Sequence, residues 1–400
     1  MREVLTEASR RAIQYLEAVQ TRPTVPSHRA IARLQELDIP FPEESSAPLD
    51  VLKELDEVGS PATVATAGGR YFGFVTGGSL PAAVGASVLA AAWDQNAVLE
   101  VCSPIASALE EVCRRWLLSA LGLPSGVGVG FVTGATMANF AALAAARHAV
   151  LGAAGWDVEA AGLSGAPPVS VIVGDEVHVS VLKALSLLGF GRERVTRVPV
   201  DGAFGLWAAV APTRRNLTAG IETADSWATD AHKWLNVPYD SGLVFVREAA
   251  HLRAAMSASA AYLLEGDRRE PSHFVPEMSR RARGVEIWAG LRSLGRAGLA
   301  DLVERTCRHA TCFAEGLREA GYQVLNQVDL NQVLVSFGDE DTTRRVIRRV
   351  QEEGTCWCGS TVWQGQPAMR ISVSCWATTE PDVERSLATI LGVAAAEGGR

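Results

Sequence analysis

The stretch from Ala224 to Val246 constrains the fold most. Its last six residues, Ser241-Gly242-Leu243-Val244-Phe245-Val246, are short and apolar, as a buried strand should be. An acidic and hydroxyl-rich run, Ala224 to Asp230, precedes a His-Lys-Trp triplet at 232–234. Lys233 therefore falls just before a strand, between Trp227 and Trp234. Apolar neighbours disfavour the ammonium form through desolvation. A neutral amine is the form that bonds to an aldehyde. Taken by itself, a lysine at such a position also reads as a solvated loop residue.

Several strand-then-helix patterns lie upstream. In Gly128-Val129-Gly130-Phe131-Val132-Thr133-Gly134-Ala135-Thr136-Met137-Ala138-Asn139 a short apolar strand ends at a glycine turn, and an Ala-rich helical run follows. Such a turn gathers free backbone N–H groups and the positive end of a helix dipole, which suits a phosphate. Val169 to Val173 is a β-branched strand that leads through Gly174-Asp175-Glu176-Val177-His178 into a helix near Ser180. Arg194 to Val200 reads as an edge strand because of Pro199. It runs directly into Asp201-Gly202-Ala203-Phe204. Ser103-Pro104 starts another helix, whose expected buried stripe is Ile105, Leu109, Val112 and Trp116.

These words together resemble the pyridoxal phosphate enzymes of the aspartate aminotransferase fold (fold type I), and within them the group II amino-acid decarboxylases. The resemblance runs from about Pro61 to about Leu391. It implies an α/β chain: a three-layer large domain with a mostly parallel sheet, plus a small C-terminal α/β domain. The expected boundaries are 1–60 for an N-terminal helical arm, 61–289 for the large cofactor-binding domain and 290–400 for the small domain. By resemblance, Lys233 carries pyridoxal 5'-phosphate, with His232 beside it, and Ala135 and Thr136 hold the phosphate. His178 stacks on the pyridine ring, Asp201 faces the ring nitrogen and Ala203 packs under the ring. The implied reaction takes an L-amino acid to the amine and CO2. An aminotransferase, an aldehyde-forming enzyme or an inactive remnant is the alternative.

The sequence departs from the family at one place. An edge strand like Val195–Val200 should be followed by further βα structure before the aspartate strand. Here on the order of 40–60 residues, more than one βαβ unit, are missing between Val200 and Asp201. The family's protonating tyrosine also has no counterpart between Glu265 and Arg283, which leaves Tyr262 and His273 as candidates.

The flanks fit a two-domain enzyme. The 400 residues allow roughly two domains at about 100–200 residues each. Near the N-terminus, Ala8, Ile13, Leu16 and Val19 mark one helical face and Ile31, Leu34 and Leu37 another. In the family such an arm packs on a second subunit, which implies a homodimer. A long helical pattern runs from Ile287 to Leu317. Strands are expected at Val333–Phe337 and Met369–Ser374, with helices at Asp341–Glu353 and after Thr378-Thr379. Arg370 is a candidate for a substrate carboxylate or for a structural ion pair. A net charge of −8 with no basic tract argues against nucleic acid. The absence of a long apolar run argues against a membrane span, and the N-terminus lacks a signal-peptide core. Seven scattered cysteines without a Cys-x-x-Cys pair suggest reduced thiols and a cytoplasmic protein with no metal site.

Overall fold

The computed structural model describes residues 1–198, 205–257 and 269–398. Its strands are β1 (Tyr71–Phe72), β2 (Gly128–Val132), β3 (Val171–Gly174), β4 (Val195–Val198), β5 (Ser226–Asp230), β6 (Gly242–Val246), β7 (Gln323–Val324), β8 (Gln332–Ser336), β9 (Trp357–Trp363) and β10 (Gln366–Ser372). The chain divides into two compact units, one of Ser79–Glu304 and one of Met1–Gly78 with Arg305–Arg400.

In the unit Ser79–Glu304, β6 lies between β2 and β5 and is antiparallel to both. Every residue of β2 and β6 is buried, which explains their unbroken apolar sequences. The helix Ala135–Ala153 packs on this sheet through Ala138, Ala141, Ala142 and Ala145, against Val132, Val244 and Val246. Small side chains on that face bring the helix backbone close to the strands. β3 and β4 pair in parallel as a separate two-stranded sheet. Neither β3 nor β5 has a strand on its other edge among the described residues. Asp201, on which the expected junction turns, lies outside them.

The helix Pro104–Leu121 starts where Ser103 caps it, Oγ accepting the Ala106 N–H at 3.4 Å. Its buried face is not the expected stripe. Ile105 and Trp116 are exposed, whereas Ala106, Glu110, Cys113 and Leu117 are buried. The reason is Glu110, a carboxylate with 0% exposure that meets Arg280 Nη2 at 2.5 Å and Arg269 Nε at 3.4 Å. A charged residue at the centre of the inward face turns the apparent stripe by one position.

The other unit holds a five-stranded sheet in the order β1-β9-β10-β8-β7, antiparallel except for the β1–β9 pair. The helices Glu340–Glu353 and Glu380–Gly398 bury Val346, Ile347, Val350, Val383 and Ile390 in its core, with Val333, Val335, Met369 and Ile371 from the strands. Strands and helices here fall close to the expected positions. Thr379 and Asp382 cap the last helix reciprocally. The long helix Gly284–Glu319 breaks at Gly295, whose φ of 59° suits a residue without a Cβ. In the N-terminal segment the helices Arg2–Ala18, His28–Arg33 and Pro48–Ala62 form as helices, but Arg2–Ala18 buries none of its residues. Among the described residues, no helix is long and apolar enough to cross a membrane.

Candidate active site

The site is built where β5 ends and the helix Ala135–Ala153 begins. Asp230 is the last residue of β5, and its side chain is only 5% exposed. Its Oδ1 accepts the Ala135 N–H at 2.6 Å. Its Oδ2 lies 2.8 Å from Lys233 Nζ. Lys233 therefore has a buried carboxylate for a neighbour and not the purely apolar setting that the flanking tryptophans suggested. Those tryptophans are buried but turned to other tasks: the Trp227 indole N–H donates to the Ile221 carbonyl.

His232 Nε2 is 3.5 Å from Asp230 Oδ1, and its Nδ1 accepts the Ser241 N–H at 3.1 Å. Burial pushes the His232 pKa below the ordinary imidazole value. The ring is thus neutral at pH 7, consistent with Nδ1 acting as an acceptor. Tyr239 stacks on it with ring centroids 4.3 Å apart.

Two glycines permit the close approach at this corner. A Cβ on Gly242 would lie 2.5 Å from the Gly134 Cα, so β6 could not start here with any other residue unless the turn moved. A Cβ on Gly134 would crowd His232 Cε1 at 3.2 Å and Asp230 Oδ1 at 3.3 Å. The N–H groups of Thr136 and Met137, in the first turn, have no partner among the described residues. Nearby in sequence, the Ser241 hydroxyl is buried without a hydrogen bond.

His178 caps the helix Val179–Leu187, its Nδ1 accepting the Ser180 N–H at 3.2 Å and lying 2.8 Å from Ser180 Oγ. Ser180 Oγ in turn accepts from Asn139 Nδ2 at 3.0 Å. His178 is thereby tied to the helix that begins at Ala135. The structure brings Ala135, His232 and Lys233 to one carboxylate, with Thr136 next in the same turn. Asp201, Ala203 and Tyr262 lie outside the described residues. His273 is buried in the turn Pro271–Phe274, where its backbone N–H donates to the Glu270 carbonyl at 3.1 Å. Arg370 has no ion-pair partner among the described residues, and its Nε is buried without a hydrogen bond. Asp230 is the residue that sequence reasoning missed. The spacing Asp-x-x-Lys at a strand end was its one local signal.

The conserved-domain model for pyridoxal-dependent decarboxylases matches residues 191–338, which include Lys233 and its surroundings. Over that span the chain is similar to the pyridoxal-dependent decarboxylase family. It is 23% identical to tryptophan decarboxylase 1 of Oryza sativa subsp. japonica over 452 aligned positions, covering 90% of this chain and 87% of that one. It is 21% identical to an aromatic-L-amino-acid decarboxylase of Bacillus atrophaeus over 459 positions, covering 95% and 92%. Both alignments exceed the 400 residues of this chain, so these relatives carry positions that it lacks. The crystal structure of Oryza sativa TDC with PLP and tryptamine matches with a TM-score of 0.90 at 20% identity, covering 99% of this chain and 97% of that one. That likeness establishes fold type I.

Pyridoxal phosphate is the cofactor of this family, and the described residues fit it. A lysine amine stands beside a helix N-terminus that has free N–H groups. The glycine at that turn leaves the space a side chain would fill, and a buried hydroxyl waits without a partner.

Proposed function

We propose that this chain decarboxylates an L-amino acid to the amine and CO2. The observation that carries this reading is the meeting of Lys233 with the start of the helix Ala135–Ala153 at Asp230. When bound, pyridoxal phosphate supplies the electron sink into which the Cα–carboxylate bond breaks. The chain's own residues do the rest. Lys233 would hold the cofactor at its aldehyde through the side-chain amine, and Ala135 and Thr136, in the first turn of the helix, would hold its phosphate. His232 fixes the corner through its bond to Ser241. By the same resemblance, His178 would stack on the ring, Asp201 would keep the ring nitrogen protonated and Ala203 would pack under the ring. Tyr262 and His273 are the candidates for delivering a proton to the product carbon.

The names of the relatives put aromatic amino acids first in a substrate panel. Cofactor-saturated protein given such a panel should release CO2 and the matching amine in equal amounts. Aldehyde with ammonia, a keto acid, or no CO2 from any substrate would each overturn the reading.

The 1–60 arm, the large domain 61–289 and the small domain 290–400 are the organisation we propose, with a second copy of the chain covering the arm. The support is the helix Arg2–Ala18, where Leu5 is 50% and Ile13 57% exposed. Light scattering should give about twice the 42.5 kDa chain mass, and Leu5→Asp with Ile13→Asp should reduce it to one chain. A wild-type mass of a single chain would refute the dimer. All seven cysteines are free, which suits a reducing, cytoplasmic compartment.

A further inference from the structure

We propose that Asp230 is a positioning residue that stands in for the cofactor's phosphate, and that it competes with the phosphate for the helix N-terminus. This inference rests on the reading of the site as a pyridoxal phosphate site. The Asp230 carboxylate makes two charge-assisted contacts at once. Oδ1 takes the Ala135 N–H at 2.6 Å and Oδ2 takes Lys233 Nζ at 2.8 Å. These are the two groups that the cofactor needs, one at its phosphate and one at its aldehyde.

A backbone N–H donates well to one acceptor at a time. A phosphate oxygen that takes the Ala135 N–H must displace Oδ1 or share the donor with it. Sharing leaves a phosphate against a carboxylate that is almost wholly out of water, where like charges repel strongly. Binding therefore requires the side chain to turn away. The same turn releases Lys233 from its ion pair, so one side-chain movement frees both ends of the site. Without cofactor, Asp230 satisfies a helix N–H and a cation that would otherwise be left unpaired. The unpartnered Ser241 hydroxyl, next to Gly242 where β6 abuts the Gly134 turn, is a separate sign that this corner is built for another polar group.

Asp230→Asn keeps the shape and can still accept the Ala135 N–H through its amide oxygen, but it removes the charge. Two readouts test the idea on the full chain. The first is affinity for inorganic phosphate, followed by phosphorus NMR. The second is the borohydride-reducible adduct at Lys233, titrated with pyridoxal phosphate and with pyridoxal, which lacks the phosphate. Asp230→Asn should bind phosphate on the order of tenfold more tightly. Its preference for pyridoxal phosphate over pyridoxal should rise by a similar factor. A merely structural role would weaken both aldehydes alike and leave their ratio unchanged.

Unchanged or weaker phosphate binding by a folded variant would overturn the proposal. If Asp230→Asn fails to fold, Asp230→Ser carries the same expectation, because a hydroxyl accepts the N–H without charge. Wild-type protein that forms no reducible adduct at all would sink the cofactor reading, while the phosphate titration would still decide the role of Asp230.

Discussion

Lys233→Ala protein should give no borohydride-reducible cofactor adduct, and its decarboxylation should fall on the order of a thousandfold or more. The chain makes this test unusually clean. It contains three lysines, Lys53, Lys183 and Lys233. Lys53 lies on the helix Pro48–Ala62 and Lys183 on the helix Val179–Leu187, and both are exposed. Neither has a carboxylate within ion-pair distance among the described residues, whereas Lys233 is held 2.8 Å from Asp230. An exposed lysine forms adducts with aldehydes only loosely, since nothing grips the phosphate nearby. Removing Lys233 takes away the proposed attachment point and leaves Asp230 buried without its cation. Melting temperature and phosphate binding should therefore be measured beside the adduct, to separate loss of the amine from loss of the fold. A wild-type level of reducible adduct in folded Lys233→Ala protein would show that Lys233 is not the attachment point.

What could be read from the sequence was local. The strand that follows Lys233, the Gly134 turn and the helix after that turn are contiguous words, and each forms as its pattern predicts, whereas the strand Ser226–Asp230 before Lys233 was not expected. His178 at a strand-to-helix turn was also legible, because the turn is set by its neighbours. What could not be read depends on residues far apart in the chain. Asp230 takes its meaning from Ala135, 95 positions away. The inward face of the helix Pro104–Leu121 was misjudged because Glu110 looks like a surface residue until Arg269 and Arg280 arrive from 159 and 170 positions downstream. Amphipathic periodicity assumes that charge points outward, and a buried ion pair breaks that assumption. The helix Arg2–Ala18 shows the opposite limit. Its periodicity predicted a helix correctly, but periodicity is silent about whether anything within the same chain covers the apolar side.

Inserting between Val200 and Asp201 the segment that a full-length relative carries should raise the melting temperature by upwards of about 10 °C and tighten pyridoxal phosphate binding. The reason is the interrupted sheet. Among the described residues, β5 has β6 on one edge and no strand on the other, and β3 has only β4. Two such edges leave rows of backbone N–H and C=O groups without strand partners, a state that native sheets ordinarily avoid or cover. Apolar side chains near the gap are also uncovered: Ile172 on β3 is 64% exposed, and Val179 and Leu187 on the following helix are 69% and 60% exposed. In an intact α/β sheet such positions face a neighbouring helix or strand. Covering about 200 Å² of apolar surface contributes about 5 kcal/mol. That is comparable to the whole stability of many domains, about 5–15 kcal/mol. At about 2–4 °C per kcal/mol for a domain of this size, the shift in melting temperature follows. Cofactor affinity should rise with it, because β5 carries Asp230 and leads directly to Lys233. Bracing β5 on its open side fixes the corner where the amine and the helix N-terminus meet. The alignments with relatives, which run past the 400 residues of this chain, supply the donor segments. If the 400-residue chain already binds pyridoxal phosphate as tightly as the restored one and melts as high, then the two open edges cost it nothing and the sheet is complete without the segment.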